Sequence, residues 1–252
     1  MIKRIASYWD QRIHDQEMTS HPVGTLGFFD DLEDYRFDKL RYLPGLVDFE
    51  SYRGQQLLEI GCGVGIDLLR FARGGARATG IDLAPRCIAL AQQNFALHGL
   101  DESAAFAVGN GEHLPFADGS FDVVYAHGVL QYTADADRMI AECRRVLVPG
   151  GEAIFMVYNR VSWLNALSSV VGVGLEHADA PVLEKYSIPE FQQLLESFAD
   201  VRVVPERFPV RSRLHRGWMG AAYNGLFVGT FNLIPRVLVR RFGWHLMAFC
   251  RK

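Results

Sequence analysis

Glu59, three glycines at alternate positions and an acid one strand further on are the residues best suited to hold a nucleoside. The stretch runs Leu57-Leu58-Glu59-Ile60-Gly61-Cys62-Gly63-Val64-Gly65-Ile66-Asp67, and Leu68-Leu69-Arg70-Phe71-Ala72 follows with apolar residues at helical spacing. That pattern predicts a strand, a tight glycine turn and the start of a helix. Glycines in such a turn permit positive φ and let a ligand meet the backbone without a Cβ in the way. A second apolar stretch, 76–81, ends in Asp82, 17 residues after Gly65. An acid at the tip of a second strand is placed to accept hydrogen bonds from both hydroxyls of a ribose.

A site of this kind needs a sheet to carry it. Residues 51–152 read as alternating strands and helices with short links, which calls for a parallel sheet covered on both faces. Strands are expected at Gln56–Ile60, 76–81, 105–108 and 121–126, and helices near 67–73, 85–98 and 134–146. Leu147-Val148-Pro149-Gly150-Gly151 is expected to break the chain before a fifth strand at 152–158. Ser187 and Pro189 mark another helix start, and 201–204 and 243–250 read as the last strands. Residues 1–50 are aromatic-rich and partly helical, with 21–29 and 170–181 expected as irregular loops. Ligands bind beyond the carboxyl ends of parallel strands, where Asn110, His127, Tyr132, Tyr158 and Arg160 emerge.

The glycine spacing selects among nucleosides. A dinucleotide turn needs G-x-G-x-x-G, and counted from Gly61 and Gly63 the third place is Ile66. What stands instead is E-x-G-x-G-x-G, which resembles the first motif of the class I S-adenosylmethionine-dependent methyltransferases. Gly109-Asn110-Gly111-Glu112-His113 resembles that family's adenine-holding segment, with Asn110 where the family usually has Asp. An amide carbonyl can accept from the adenine amino group as a carboxylate does. The resemblance covers residues 55–158. It implies an α/β, Rossmann-like, seven-stranded and mostly parallel sheet, helices on both faces, and an antiparallel last strand inserted beside the sixth.

The same resemblance implies S-adenosyl-L-methionine as cofactor, held by Glu59, Gly61, Cys62, Gly63, Gly65, Asp67, Asp82, Leu83, Asn110, Gly111, Glu112 and His127, with Arg36 proposed as partner of the cofactor carboxylate. Residues 1–50 are expected to form a lid, 51–160 the cofactor-binding core, and 161–252 a C-terminal half of the same single domain. Glu112 and His113 are otherwise expected as a solvated turn pair. Acceptor-side candidates are Tyr8, His14, His21, Phe28, Tyr35, Tyr132, Tyr158 and Arg160, and His127 and Tyr158 are the candidate catalytic groups. Methyl transfer is an in-line displacement, so alignment and exclusion of water dominate, and a base is needed only for a protonated acceptor.

Composition narrows the partners. With 49% hydrophobic residues and 12% aromatics, the 252-residue chain can bury a large core, and its net charge of −3 does not suggest a nucleic-acid binder. The charge is uneven: residues 202–252 carry ten basic residues and one acid, Glu206, for +9, so the remainder carries −12. Four scattered cysteines without a C-x-x-C pair suggest reduced thiols in a cytoplasmic protein, and 1–10 lacks the apolar core of a signal peptide. No His or Cys cluster has metal-ligand spacing. Residues 205–242 form an insertion, and 217–235 holds no charge. Four glycines and a terminal proline argue against a span. An extra core helix or dimer surface, a peripheral membrane contact through 211–242 and a wall of an apolar substrate's pocket remain as readings. The function expected is methyl transfer to a small, rather apolar molecule. The alternatives are a nicotinamide-dependent oxidoreductase and a non-catalytic cofactor-binding protein.

Overall fold

The computed structural model describes residues 1–171, 175–210, 224–225, 228–231 and 233–252. Seven strands form one sheet: β1 (Gln56–Ile60), β2 (Arg77–Asp82), β3 (Ala104–Val108), β4 (Phe121–His127), β5 (Leu147–Tyr158), β6 (Ala199–Glu206) and β7 (His245–Arg251), in the order β3-β2-β1-β4-β5-β7-β6. Strands β1 to β5 pair in parallel, and β7 lies antiparallel between β5 and β6. The seven-stranded, mostly parallel architecture with an antiparallel last strand is therefore the one expected. Because β7 runs backwards, its first residue, His245, faces Tyr158 at the end of β5. The carboxyl ends of the parallel strands and the amino end of β7 thus share one edge.

The central strands are buried on both faces and read as near-continuous apolar runs, as a helix-covered parallel sheet requires. Leu57, Leu68, Phe71, Tyr125 and Ile154 belong to one layer of core, and Leu58, Val124, Ile140, Phe155 and Leu246 to the other. Helix α1 (Ile2–Asp10), α2 (Leu26–Lys39) and the short α3 (Leu43–Leu46) precede the sheet. Thr25 caps α2, its Oγ1 accepting from the Phe28 amide at 3.3 Å, so the helix takes in the second half of the stretch expected to be loop. Arg70 and Arg73 of α4 (Ile66–Arg73) clasp Glu33 of α2 at 2.9 and 2.8 Å, fixing the N-terminal helices over the glycine turn.

Helices α5 (Pro85–Leu97), α6 (Ala136–Val146), α7 (Trp163–Val171) and α8 (Ile188–Leu194) complete the layers. Two expectations change. The predicted break at 147–151 is instead an irregularity inside β5, whose pairing jumps from Phe121↔Leu147 to Val123↔Glu152. Proline and glycine interrupt the ladder there, as they do at bulges, without ending the strand. The start of the loop expected from 170 belongs to α7. The Ser187 start is as expected, with a reciprocal capping box to Glu190. Of the uncharged run 217–235, residues 217–223, 226–227 and 232 lie outside the described residues, as do Arg211, Arg213 and Arg216 and the side chain of Arg236.

Candidate cofactor and acceptor cavity

The three glycines do different work. Gly61 has φ +68, and a Cβ there would lie 2.5 Å from Val129 Cγ2. Gly65 has φ +79 and caps α4; its missing side chain makes room for Ala91 and Phe95 of α5, and it stands outside the cavity lining. Gly63 has φ +52 and nothing within 4 Å of a built Cβ, so the turn opens onto a cavity at this residue. Asp82 holds the turn in place. Its Oδ2 accepts from the Gly63 amide and its Oδ1 from the Ala84 amide, each at 2.9 Å. Burial pushes this carboxyl up, and the main-chain donors oppose that. The Leu83 amide is a third main-chain donor to this carboxylate.

Glu59 lies at the end of β1 and is 4% exposed. Its carboxylate takes a main-chain hydrogen bond from Leu68, and Oε2 is buried with no partner among the described residues. Burial, then the neighbouring Asp67, pushes its pKa well above the ordinary value. A buried acceptor without a donor costs about 1–3 kcal/mol unless a ligand supplies one. The orphaned oxygen and the open glycine cradle line one cavity, and they fit a nucleoside whose amino-acid tail brings an ammonium.

Leu83, Asn110, Gly111 and Glu112 continue the wall. Asn110 Oδ1 accepts from the Glu112 amide at 3.0 Å. Glu112 departs from the expected solvated turn: it is 6% exposed, and its Oε1 accepts from Thr133 Oγ1 at 2.6 Å and from the Ala134 and Asp135 amides at 2.9 and 3.1 Å. It anchors the entrance to α6, and only His113 of the pair is exposed.

Arg36 reaches from α2 into the same cavity, where its Nε and Nη2 both bond the Asp67 carboxylate. Tyr125 Oη donates to Asp67 Oδ2 at 2.8 Å. Burial works against the Asp67 charge, but the guanidinium holds the carboxyl below its usual range. The guanidinium expected for the cofactor carboxylate is thus engaged with Asp67. Its Nη2 also lies 3.3 Å from His127 Nδ1. A guanidinium only donates, so Nδ1 accepts and Nε2–H points at Tyr42 Oη, 3.3 Å away. Arg207 Nη1 likewise donates to His245 Nε2 at 3.0 Å, which turns His245 Nδ1–H onto Tyr42 Oη at 2.6 Å. Both nitrogens of His127 therefore have partners, Arg36 and Tyr42.

Trp9, His14, Tyr132, Tyr158, Glu176, His177, Arg207 and His245 line the far end of the cavity. Glu176 bonds Arg207 at 2.7 Å and Lys39 at 3.2 Å; burial opposes its charge, yet Arg207 and Lys39 hold its carboxyl well below the ordinary value. Tyr132 Oη donates to Tyr158 Oη at 3.3 Å, and burial pushes the Tyr158 hydroxyl up. Of the acceptor-side candidates, His14, Tyr132 and Tyr158 meet at this end. Phe28 is instead fully buried among Phe29, Leu32, Val64 and Ile66. His21 is exposed, Tyr35 and Tyr8 stand outside the lining, and Arg160 pairs with Glu190 on the surface. Lys39, Glu176, His177, Arg207 and His245 were missed. His245 was reachable in principle, because an antiparallel strand beside β5 must begin at the ligand edge.

Four imidazoles are held neutral here, burial being the main cause in each. His14 is pushed down to about 4 and His127 to about 3, and His177 and His245 are also lowered. Between the unfolded value near 6.5 and these folded values, the unfolded chain binds protons that the native chain refuses, so stability falls as pH falls. The raised carboxyls of Glu59 and Asp82 act in the opposite sense above about pH 4.5, and the imidazoles outnumber them. Allowing for solvent at His14 and His177, about 1–3 kcal/mol should be lost per pH unit below pH 6.5. Melting temperatures at pH 7 and pH 5 check this: a drop of several degrees is expected, and a flat profile would mean the imidazoles are not buried as neutral groups.

The fold is the Rossmann-like sheet found in S-adenosylmethionine-dependent methyltransferase structures. Residues 58–155 match the family model described as a methyltransferase domain, and that segment belongs to the family. The chain is 36% identical over 104 residues to a sterol 4-C-methyltransferase of Caenorhabditis elegans, covering 41% of this chain and 30% of that protein. It is 36% identical over 134 residues to a ubiquinone biosynthesis O-methyltransferase of Xanthomonas oryzae pv. oryzae, covering 50% and 54%. The chain thus spans about a third to a half of the length of these curated relatives. Among solved structures, an S-adenosylmethionine-dependent methyltransferase from Thermotoga maritima superposes with a TM-score of 0.64 at 17% identity, covering 98% of this chain and 99% of that one. Geranyl diphosphate C-methyltransferase from Streptomyces coelicolor gives 0.62 at 16%, covering 99% and 97%.

Proposed function

We propose that the chain transfers a methyl group from S-adenosyl-L-methionine to a small molecule with an apolar, aromatic-compatible body. The reading is carried by one continuous cavity that holds the orphaned Glu59 Oε2 and the open Gly63 turn at one end and aromatic, histidine-rich walls at the other. The cofactor supplies an activated methyl on a cationic sulfur. Glu59 receives its ammonium, Asp82 the ribose hydroxyls and the Asn110-Gly111 segment the adenine. Trp9, Tyr132 and Tyr158 flank the acceptor. Residues 1–50 act as a lid on the core 51–160, with 161–252 completing the acceptor side; α2 is held to the cavity through Arg36 and Lys39. The sterol and ubiquinone methyltransferases among the relatives support a small acceptor. Calorimetry with S-adenosylmethionine tests the reading, and folded protein that binds none at millimolar concentration would end it.

The same reading includes a cytoplasmic location with docking on an anionic bilayer. Leu233, Ile234, Val237 and Leu238 are exposed beside Arg240 and Arg241, and residues 207–252 contain no acid. Asn159, at the ligand edge of β5, bonds the Arg241 and Gly243 carbonyls at 2.9 and 2.8 Å, which puts this apolar, basic patch near the cavity. Apolar side chains flanked by arginines suit the interface of anionic lipids. No helix among the described residues is long and apolar enough to cross a membrane. Sedimentation with phosphatidylglycerol vesicles should carry the protein down, phosphatidylcholine vesicles should not, and Val237→Asp with Leu238→Asp should abolish the effect. Self-association through the patch, with no vesicle binding, would overturn this part.

A further inference from the structure

The acceptor end of the cavity continues into a hydrogen-bonded chain that reaches solvent. His14 and His177 line the cavity, while Tyr8 and Asp179 stand behind them, outside its lining. His14 Nδ1 lies 2.7 Å from His177 Nε2, and His177 Nδ1 lies 3.4 Å from Tyr8 Oη. Tyr8 Oη donates to Asp179 Oδ1 at 2.6 Å, and the Asp179 side chain is 65% exposed.

The hydrogens in this chain are ordered from both ends. A carboxylate only accepts, so Tyr8 directs its hydrogen to Asp179 and its oxygen accepts from His177 Nδ1–H. His177 Nε2 is then a lone pair, which accepts from His14 Nδ1–H. That leaves His14 Nε2 as an acceptor, flanked by Asp15 Oδ2 at 3.2 Å and by the Lys39 ammonium, which only donates, at 3.4 Å. Lys39 is held by Asp15 at 2.9 and 3.0 Å and by Glu176 at 3.2 Å, so its hydrogen-bond contact with His14 is longer than any of these. Every hydrogen from His14 to Asp179 points outward. Asp15 Oδ2 lies 3.2 Å from His14 Nε2, where it can pair with an imidazolium. Asp15 and His177 also adopt positive φ, 60° and 52°. Such backbone strain in non-glycine residues concentrates at functional sites.

We propose that His14, His177, Tyr8 and Asp179 form the proton exit of the methyl-transfer site, with His14 as the base and a hydroxyl compound, a phenol or an alcohol, as the acceptor. The inference rests on the methyl-transfer reading above. The acceptor O–H bond breaks, its proton passes to His14 Nε2, and its electron pair stays on oxygen, which forms the bond to the methyl carbon. The electrons of the broken carbon–sulfur bond stay on sulfur, leaving a neutral thioether. His14 hands its Nδ1 proton to His177, His177 hands its own to Tyr8, Tyr8 to Asp179, and Asp179 to water. One proton enters and one leaves, so the chain keeps its charge, and the imidazoles turn over before the next passage. The groups facing His14 are Asp15, Lys39, Glu176 and His177. Those facing His177 are Tyr8, Trp9, His14, Asp15, Lys39, Tyr132, Glu176 and Asp179.

Two measurements on the full chain test this. In nitrogen-15 spectra of the protein saturated with S-adenosylhomocysteine at pH 7.5, His14 and His177 should both report hydrogen on Nδ1, and Tyr8→Phe should turn His177 into a tautomer mixture. Hydrogen on His14 Nε2 in that state would overturn the proposal whether or not any acceptor is turned over. In turnover with S-adenosylmethionine over a panel of phenols, alcohols, amines and thiols, hydroxyl acceptors should be methylated. Tyr8→Phe keeps the edge contacts with Trp9 and His177. It should lower kcat about ten- to a hundredfold at unchanged KM, with the deficit shrinking as pH rises. Full kcat in Tyr8→Phe, or turnover confined to amines and thiols, overturns the exit. Loss of cofactor binding in calorimetry is a separate result and would count against the methyl-transfer reading itself.

Discussion

Asp82→Ala should weaken S-adenosylmethionine binding about a hundredfold or more. The carboxylate accepts from the Gly63 and Ala84 amides at 2.9 Å each. In the proposed complex it also accepts from the two ribose hydroxyls. Hydrogen bonds to a charged group are worth about 1.5–3 kcal/mol each, and two of them correspond to a factor of about a hundred to about twenty thousand. Alanine also leaves main-chain amides without their acceptor, so the turn loosens. Gly63→Ala separates the two effects. A methyl group there meets nothing within 4 Å, so the fold should lose only the roughly 1–2 kcal/mol of a left-handed residue, while the methyl stands where the nucleoside must lie. Gly61→Ala should instead destabilise the fold, because its Cβ would lie 2.5 Å from Val129. Calorimetry and thermal melting on the three variants check this. Undiminished affinity in a folded Asp82→Ala protein would place the nucleoside elsewhere.

The end of the cavity around the glycine turn was legible because each of its stretches is a short local pattern. A glycine turn, an acid one strand later and a short loop after the third strand are each local patterns, and strand order follows from alternating strands and helices. Within that motif the sequence could not rank the glycines, since whether a missing Cβ faces an open cavity, as at Gly63, or a helix, as at Gly65, depends on α5. Glu112 was read as solvated for a similar reason, its partners being Thr133 to Asp135 across the site. The acceptor half was mostly illegible. It is assembled from Lys39, Glu176, Arg207 and His245, which lie far apart in the chain and meet only because β7 is inserted backwards and the 175–180 turn folds over α2. No periodicity marks a lone Glu or Arg in a connection. Phe28 shows the converse error, an acceptor-side candidate within the expected lid that is core.

The second large effect is expected at Arg36. Arg36→Met should destabilise the protein by about 3–5 kcal/mol, because the Asp67 carboxylate, 1% exposed, would lose its counter-charge. In a chain of this size that is a fall in Tm of about 6–20 °C. The loss should largely be recovered in the double variant Arg36→Met, Asp67→Leu, since replacing both members of a buried pair by apolar groups of similar volume is often near neutral. Tyr125, which donates to Asp67 at 2.8 Å, would keep an unpaired hydroxyl in that variant, so the recovery should stop short of full. The pH dependence supplies an independent sign. Asp67 is held below its ordinary range by Arg36, so the pair's contribution is present above the unfolded value of about 3.9 and is lost as pH falls through the lower folded value. Wild type and Arg36→Met should therefore differ widely at pH 7 and converge as pH approaches 3. Because Arg36 belongs to α2 and Asp67 to α4, the same variant should loosen the N-terminal helices from the glycine turn. Amide exchange should then rise in 26–39 before it rises in β1. A single variant costing less than about 1 kcal/mol would mean that the pair is solvated and that α2 is not clamped to the site through it.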